Sequence, residues 1–482
     1  MLGMEQQAPP PALDPRTRAL LDAPIVPLLL RMAWPNVLVM LAQAATGIIE
    51  TWWVAKLGTD ALAGMALVFP GFMMMQMLSA GALGGAISSA VARAIGAGRR
   101  DDADALVVHA LVINVALATV FAIVVVAFGP QIYSALGGRA GSLSAALQYS
   151  NVVFSAIVLL WVLNGLASVV RGTGNMLVPA LVVCAGVVIL IPLSPILIFG
   201  FGPIPAFGIA GGGYAIVAIN AAGAAFLAWY VVSGRNLARF RLARLRWAFF
   251  RDILAVGAVA MVTTLQTNVV VLSTTAMVGA FQGPDAVAGY GTGARLEYLL
   301  IPLVFGLGAP LVALVGTNVG AGNGARALRI AFTGGAIAFV MTETIGLVAA
   351  FHPRAWLGLF GHDPAMLATG SAYLAVVGPF YGCFGLGLAL YFASQGAGKL
   401  AWPLLAGFLR MLLAVGGGYL ALHLTGSTAW LFAAVAAGML LYGAMVTAAV
   451  ASGVWFRNPK GYAVKNSRSA SYVSSGASSG MK

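Results

Sequence analysis

Twelve long apolar segments dominate the sequence and constrain its fold more than any other feature. Each is long enough for an α-helix to cross the hydrocarbon core of a bilayer, which takes about 20 residues. Charged residues make up only 8% of the chain, against about 25% in soluble proteins. We therefore predict an all-α polytopic membrane protein, multi-pass in the cell inner (plasma) membrane, with twelve transmembrane helices. The predicted spans are 26–55, 61–90, 104–128, 143–169, 176–200, 208–232, 252–280, 287–316, 327–351, 366–394, 400–424 and 428–453.

Basic residues are distributed unevenly among the segments that connect these spans. If both termini are cytoplasmic, 21 of the 26 Lys and Arg residues lie on the cytoplasmic side. Only Lys56, Arg139 and Arg354 then lie outside, and Arg295 and Arg410 lie well inside spans, whereas Arg31 and Arg329 at the cytoplasmic span ends count as cytoplasmic. The positive-inside rule thus predicts that both termini are cytoplasmic. The same rule explains the net charge of +13, so we expect a lipid bilayer around the chain and no nucleic-acid partner.

The polar segments divide the chain into five parts. Residues 1–25 are predicted to be a cytoplasmic leader, and the Ser-rich residues 454–482 a disordered cytoplasmic tail. A basic cytoplasmic linker, 233–251, separates an N-terminal six-helix lobe, 26–232, from a C-terminal six-helix lobe, 252–453. The two cysteines lie in apolar segments without metal-ligand spacing, so we expect neither a metal site nor a disulfide framework.

The two lobes repeat each other in sequence. The offset is 224 between AIGAGRR and NVGAGNG, 224 between RGTGNMLVP and SQGAGKLAWP, and 225 between DALAG and DAVAG. Because each half has an even number of spans, we expect a parallel repeat about an axis along the membrane normal. Two such lobes can rock about a central cavity, which is the geometry of alternating access. The GAG triplets are expected to end helices, since no strand precedes them and no GK[ST] follows.

Several segments carry a family resemblance. They are ETWWVAKLGTDALAGMALVFP, VVRGTGNMLVP, ILIFGFGPIPAFGIAGGGYA and YGTGARLEYLLIPLVFGLGAPLVALVGTNVGAGN, together with the paired GAG turns. Over residues 25–453 the chain resembles the multidrug and toxic compound extrusion (MATE) family, and its second half is more similar to the DinF-like branch. The resemblance implies two six-helix lobes in a V, and export of bulky, usually cationic organic molecules in exchange for protons or sodium ions. It implies no enzymatic activity and no cofactor, and we expect a monomer.

One carboxylate, Glu50, ends the first apolar segment directly before Trp52 and Trp53. It shares a helix face with Asn36 and Gln43, because residues seven apart drift by only about 20° per heptad. A polar stripe on an apolar span is expected to face a cavity or a partner helix. The alternative is an interfacial position, which tryptophans often mark. The resemblance places an acidic residue, usually aspartate, here, and we predict that Glu50 couples transport to an ion.

Other acids that the resemblance leads us to expect are missing. Leu190 and Ser194 stand where some family members carry Asn and Asp, and Gln266 and Asn268 stand in place of a glutamate in the seventh span. A sodium ion prefers several oxygen ligands and more than one carboxylate, whereas a proton needs only one carboxyl group. The loss of acids therefore favours protons, and a sodium-coupled exporter is the alternative.

Two further acids lie within predicted spans. Glu297 and Arg295 are two residues apart, so they lie on roughly opposite helix faces and each needs another partner. Arg410 is a candidate donor for Glu297, which is then either a second ion-coupling carboxyl or half of a structural pair. Glu343, between two threonines, is interpreted as a satisfied interhelical polar group.

Substrate contacts are expected from polar and aromatic side chains near the middle of the spans. An organic cation needs an apolar and aromatic wall with a few hydrogen-bond acceptors. The candidates are Asn36, Gln43, Tyr149, Trp161, Asn164, Gln266, Asn268, Tyr373 and Tyr381.

The favoured hypothesis is a proton-coupled antiporter that exports amphipathic, cationic compounds by alternating access. A lipid-linked sugar flippase of the wider superfamily would need several cationic residues in its cavity for pyrophosphate, and only Arg295 and Arg410 qualify within the spans. A membrane-embedded enzyme would need a catalytic cluster such as a His/Asp or Ser/His pair inside the spans, and none is visible.

Overall fold

A computed structural model describes residues 14–456, and this range is almost entirely helical. The first half contains α1 (Pro15–Asp22), α2 (Ile25–Ala55), α3 (Thr59–Gln76), α4 (Gly84–Gly96), α5 (Arg100–Ala135), α6 (Ala140–Ser155), α7 (Ile157–Gly172), α8 (Leu177–Phe199) and α9 (Ile209–Val232). The second half contains α10 (Trp247–Gln282), α11 (Pro284–Gly320), α12 (Gly324–Phe351), α13 (Pro353–Leu357), α14 (Pro364–Val377), α15 (Tyr381–Gly396), α16 (Ala401–Met411), α17 (Gly418–Thr425) and α18 (Thr428–Ala451). Short π-helical or 3₁₀ stretches join consecutive helices at Met77–Leu83, Gly378–Phe380 and Leu412–Gly417.

These helices supply the twelve predicted spans. Among the described residues, eleven helical segments are long and apolar enough to cross a bilayer. One of them joins α3 and α4 through the π-helical stretch Met77–Leu83. The twelfth is the pair α6 and α7, which bends by 46° at a short break and counts as one span. The prediction of an all-α, twelve-helix membrane protein is confirmed.

The boundaries of three predicted segments differ from those observed. The span predicted at 143–169 is broken at Ala156, where the backbone leaves the helical region. The basic linker ends at Arg246, because α10 begins at Trp247. The leader contains α1, and residues 1–13 of the leader and 457–482 of the predicted disordered tail lie outside the described residues.

The described part of the leader packs against the C-terminal lobe. Leu20 and Leu21 of α1 are buried. The Asn318 side chain of α11 donates to the Leu20 carbonyl at 3.1 Å, and the Arg326 guanidinium of α12 donates to the Ala23 carbonyl. Burial of two leucines explains why this short polar segment is ordered against the membrane helices.

The interlobe linker is held against α5 by two side chains that the sequence analysis did not single out. The carboxylate of Asp104 accepts the backbone N–H of Arg239 at 2.7 Å and lies 3.5 Å from the Arg241 guanidinium. The Nε2 atom of His109 is 2.9 Å from the backbone nitrogen of Arg246 and accepts its proton. The basic linker is therefore anchored to α5 at Arg239, Arg241 and Arg246.

The internal repeat is visible in backbone conformation. Gly98 and Gly322 have φ angles of +71° and +78°, and Gly174 and Gly398 have φ angles of +83° and +71°. Residues with a Cβ atom rarely adopt this conformation, so each repeated turn depends on its glycine. The expectation that the GAG triplets end helices is confirmed, because α4 and α11 end at their first glycines.

The two lobes touch at the end of the molecule that carries the GAG turns, which we call the GAG side. A Cβ atom on Gly96 of α4 would lie 2.0 Å from the carbonyl oxygen of Thr317 of α11. A Cβ atom on Gly320 would lie 2.2 Å from the carbonyl oxygen of Arg93. Arg93 also forms an ion pair with Asp252 of α10 at 2.8 Å. Backbone contact and a charged pair therefore close the GAG side between the lobes.

We expect Gly96→Ala to reduce export of an amphipathic dye strongly, because a methyl group cannot occupy the space beside Thr317 unless the lobes separate. Gly291→Ala is the matched control, since a Cβ atom there meets nothing within 4 Å. Dye export from cells and the elution of each purified variant by size exclusion would be compared. Wild-type export by Gly96→Ala would show that this contact is not needed for transport.

Candidate functional site

A cavity of about 390 Å³ lies between the two lobes. Its walls come from α2, α3, α4, α7, α8 and α9 on one side and from α10, α11, α15, α16 and α18 on the other. This volume falls within the range of roughly 300–1,000 Å³ that is usual for small-molecule sites. The π-helical stretch Met77–Leu83 forms part of the wall, as such stretches often do at functional sites.

Five of the nine predicted substrate contacts line this cavity. They are Asn36 and Gln43 of α2, Asn164 of α7, and Gln266 and Asn268 of α10. They come from both lobes, so the structure brings together residues that are more than 200 positions apart in the sequence. Their contact with a substrate stays a prediction.

These polar residues differ in how much of their hydrogen-bonding capacity is free. The Asn36 amide donates to the Met32 carbonyl at 3.0 Å, and the Asn164 amide donates to the Ser79 hydroxyl at 3.2 Å. Gln266 is 5% exposed, and within residues 14–456 neither end of its amide has a hydrogen-bond partner. A buried amide without a partner is costly, so Gln266 is well suited to bind a polar group of a substrate.

The four predicted aromatic contacts lie outside the walls of this cavity. Tyr149 is buried inside the N-terminal lobe close to Glu50. Trp161 is fully buried on α7 and packs against a ring of α5. Tyr373 and Tyr381 are both fully buried, next to each other, in the C-terminal lobe. These rings occupy helix faces that point into the lobes, where large aromatic side chains fill the core.

Glu50 also lies outside the cavity wall, although it is on the same helix as Asn36 and Gln43. It is 1% exposed inside the N-terminal lobe. Its carboxylate lies about 10 Å farther along α2 than Gln43, beside Ser194 of α8 and Gly212 of α9. Glu50 therefore does not have the interfacial position that was its alternative. The residues after it fit such a position, since Trp52 is 55% exposed and the Lys56 ammonium lies 3.7 Å from the centre of the Trp52 ring.

The surroundings of the Glu50 carboxylate are sparse in polar groups. A Cβ atom on Gly212 of α9 would lie 2.7 Å from its Oε2 atom, so the carboxylate occupies space that only a glycine leaves open. Tyr149 of α6 and the Ser194 hydroxyl of α8 are its polar neighbours. Neither carboxylate oxygen makes a hydrogen bond of regular geometry, and no basic side chain pairs with it among the described residues. An ionised carboxylate in this setting is poorly compensated.

The C-terminal lobe holds its buried carboxylate differently. Glu297 of α11 forms an ion pair with Arg410 of α16 at 3.2 Å and accepts the Tyr373 hydroxyl of α14 at 3.3 Å. The Arg410 guanidinium lies 4.6 Å from the ring centre of Phe384. The prediction that Arg410 is the donor for Glu297 is confirmed. This arrangement supports a structural pair over a second ion-coupling carboxyl.

Arg295 and Glu343 also have partners. Arg295 lies over the ring of Phe360 at 5.5 Å, so Arg295 and Glu297 do not pair, as predicted. Glu343 of α12 accepts the backbone N–H of Gly382 of α15 at 2.7 Å. The interpretation of Glu343 as an interhelical polar group is confirmed.

The sequence analysis missed Arg171, Ser88 and Gln395, which line the cavity near the GAG side. Arg171 was counted only as a cytoplasmic cation. The repeat offset of 224 places Gln395 at the position equivalent to Arg171, and this correspondence could have revealed both. Arg295, expected as one of two intramembrane cations, is not part of the wall.

The charge of the cavity wall differs from the expectation of a cationic substrate. Its charged lining residues are Arg171 and Arg410, and none of the described lining residues is Asp or Glu. A cation would therefore find hydrogen-bond acceptors and aromatic rings in the wall but no carboxylate.

Comparisons with known proteins agree with this architecture. The model of the MatE family matches residues 35–196 and 260–420, one block in each lobe. A protein of Shewanella oneidensis described as an FAD transporter is 28% identical over 384 residues, covering 78% of this chain and 82% of the relative. A probable multidrug resistance protein NorM of Deinococcus radiodurans is 26% identical over 413 residues, covering 78% and 84%.

Solved structures share the fold. A crystal structure of MATE in the bent conformation superposes with a TM-score of 0.84 at 21% identity, covering 92% of this chain and 98% of the other. A MOP superfamily transporter from Pyrococcus furiosus superposes with a TM-score of 0.81 at 22% identity, with the same coverage. These likenesses support the two-lobed architecture.

Proposed function

The chain belongs to the MATE family of efflux transporters, and on this premise we propose that it exports amphipathic organic compounds in exchange for protons by alternating access. It is a multi-pass membrane protein and a transporter, not an enzyme. The proton coupling, the antiport and the nature of the substrate are the parts that we propose.

One observation carries the proposal of proton coupling, namely the position of Glu50. Its carboxylate is buried inside a membrane lobe and has no ion-pair partner among the described residues. Ionisable groups buried within membrane spans commonly mark ion pathways, because their burial is expensive. A single carboxyl suffices to carry one proton, whereas the neighbouring Ser194 and Tyr149 add only two neutral oxygens for a sodium ion.

The geometry suggests how Glu50 acts on a cavity that it does not line. Glu50 and Gln43 lie seven positions apart on one helix, α2, which corresponds to about 10 Å along its axis. Protonation removes a charge that α6, α8 and α9 do not compensate, so the packing of α2 against these helices depends on its protonation state. Because α2 also supplies Asn36 and Gln43 to the wall, a shift of this helix changes the cavity.

The closed end of the molecule indicates which side of the membrane the described state faces. The lobes touch on the GAG side, which the distribution of basic residues predicts to be cytoplasmic. The described state is then closed to the cytoplasm. Rocking of the two lobes would open the GAG side for loading, and proton binding at Glu50 would favour one of the two states. A proton can shift this equilibrium only by binding the two states with different affinity.

The test is dye efflux from proteoliposomes under an imposed proton gradient and, separately, an imposed sodium gradient. Cationic, neutral and anionic amphipathic dyes would be compared. We expect an inwardly directed proton gradient to drive export of at least one dye and a sodium gradient at equal pH to drive none. Export that requires sodium would overturn the proposed proton coupling.

A further inference from the structure

We propose that the cavity binds an amphipathic organic anion, and that Arg171 recognises its carboxylate or phosphate group. This inference rests on the proposed function of the cavity as a transport site. It replaces the cationic substrate that the sequence analysis expected by a substrate of the opposite charge.

The charge balance of the wall is the first argument. Arg410 faces the cavity, but its charge is matched by Glu297 at 3.2 Å and its guanidinium is stacked on Phe384. Arg171 faces the same cavity and has no acidic partner within ion-pair distance in residues 14–456. With no Asp or Glu in the described wall, the net charge of the lining is positive. A cavity whose lining carries net charge of one sign attracts a ligand of the opposite charge.

The geometry around Arg171 leaves most of its donors available. The hydrogen bond that the structure shows for its side chain runs from Nη2 to the Ser168 hydroxyl at 3.0 Å. Ser168 lies one turn earlier on α7, so this bond fixes the direction of the guanidinium. A guanidinium carries five N–H donors in a planar fork, a geometry that matches carboxylate and phosphate oxygens.

A buried hydroxyl without a hydrogen-bond partner among the described residues lies at the same end of the cavity. Ser88 of α4 is 4% exposed, lines the cavity, and its hydroxyl has no hydrogen-bond partner among the described residues. Helices α4 and α7 are in direct contact here, since a Cβ atom on Gly172 would lie 2.8 Å from the Ser88 carbonyl oxygen. An oxyanion bound by Arg171 could accept the Ser88 hydroxyl as well, which would satisfy a buried donor.

The rest of the wall suits an aromatic or apolar body. Phe305 and Phe392 pack edge to face with ring centres 4.7 Å apart, and Tyr391 lies 5.2 Å from Phe392. All three line the cavity. The site thus combines an apolar aromatic surface with one uncompensated cation at its closed end, which is the pattern for an anionic amphiphile.

Two xanthene dyes of similar shape and opposite charge test the inference, namely the anion carboxyfluorescein and the cation rhodamine 123. Their dissociation constants for the purified full-length protein would be measured by fluorescence polarisation. We expect wild-type protein to bind carboxyfluorescein more tightly. Arg171→Gln should weaken carboxyfluorescein binding by about tenfold or more, the effect of losing one charge-assisted hydrogen bond. It should leave rhodamine 123 binding unchanged or tighter.

Three variants serve as controls. Arg171→Lys keeps the charge without the planar fork and should lose only part of the affinity for carboxyfluorescein. Ser88→Ala should weaken carboxyfluorescein binding by a few-fold. Arg244→Gln removes the same charge from the exposed linker and should change the affinity for neither dye. Size-exclusion elution and helical circular dichroism of each variant show that it is folded.

The inference is overturned if wild-type protein binds rhodamine 123 but not carboxyfluorescein, or if Arg171→Gln weakens both dyes equally. Efflux measured in parallel separates this failure from failure of the proposed function. Gradient-driven export of rhodamine 123 alone would refute the anionic substrate and leave the exporter intact. Binding of carboxyfluorescein with no export of any dye under either gradient would refute the exporter and leave the anion site intact.

Discussion

The Glu50→Gln variant is expected to lose proton-driven dye export while it remains folded in the membrane. Glutamine keeps the size of the side chain but cannot gain or lose a proton in the physiological range. Because the carboxylate has no ion-pair partner among the described residues, its removal leaves no charge unpaired. The transport defect should therefore appear without a loss of stability, and export in proteoliposomes should fall to the level of protein-free vesicles.

Two variants control this result. Glu50→Asp keeps a titratable carboxyl one methylene shorter, so we expect it to retain part of the export. Asp101→Asn removes an acid from the exposed first turn of α5 and should export as wild type does. Full proton-driven export by Glu50→Gln would rule out the role of Glu50 and make Glu297 the next residue to test.

The Arg410→Met variant is expected to cause the largest loss of stability. Glu297 and Arg410 are each 5% exposed and face each other at 3.2 Å across α11 and α16. Removal of one partner leaves a buried charge without compensation, which typically costs about 3–5 kcal/mol. Thermal unfolding of the purified protein in detergent would measure the loss, and the yield of folded protein should fall with it.

The double variant Glu297→Gln/Arg410→Met provides the control for that loss. Removal of both charges takes away the unpaired group, so we expect the double variant to regain much of the stability. A double variant as unstable as Arg410→Met would show that Arg410 stabilises the fold through its packing against Phe384 and not through its charge. An Arg410→Met protein as stable as wild type would contradict the proposed structural role of the pair.

The fold was predictable from the sequence because the bilayer imposes a strict requirement. A helix must be about 20 apolar residues long to cross the hydrocarbon core, and each predicted span corresponds to a helix or helix pair of this kind. The break at Ala156 was not predictable, because the flanking residues are equally apolar on both sides. The docking of α1 was also missed, since Leu20 and Leu21 are the only buried apolar residues of that short polar helix.

The site was only partly predictable, because hydropathy does not show which way a side chain points within a lobe. The heptad spacing of Asn36, Gln43 and Glu50 predicted one shared helix face, but only Asn36 and Gln43 line the cavity. The spacing did not show that the Glu50 carboxylate lies among α6, α8 and α9 instead. Tyr149 and Trp161 were chosen for their chemistry, and their position in the lobe core depends on contacts between helices distant in sequence.

Arg171 is a second example of a cavity residue whose position the sequence did not reveal. Arg171 resembles any cation at the end of a span, and the positive-inside rule accounts for it without a function. Its exposure to the cavity depends on how α7 packs against α4, which a single sequence does not reveal. The signal in the sequence was the internal repeat, whose offset of 224 places Gln395 at the position equivalent to Arg171.

The most direct test of proton antiport is proton movement driven by substrate alone. Proteoliposomes would carry a trapped pH-sensitive dye, with equal pH and no sodium on both sides, and a gradient of an exported compound would be imposed. Because exchange is reversible, the account predicts that flux of the compound moves protons in the opposite direction in wild-type vesicles and not in Glu50→Gln vesicles. Flux of the compound without a pH change in wild-type vesicles, or flux that requires added sodium, would contradict it.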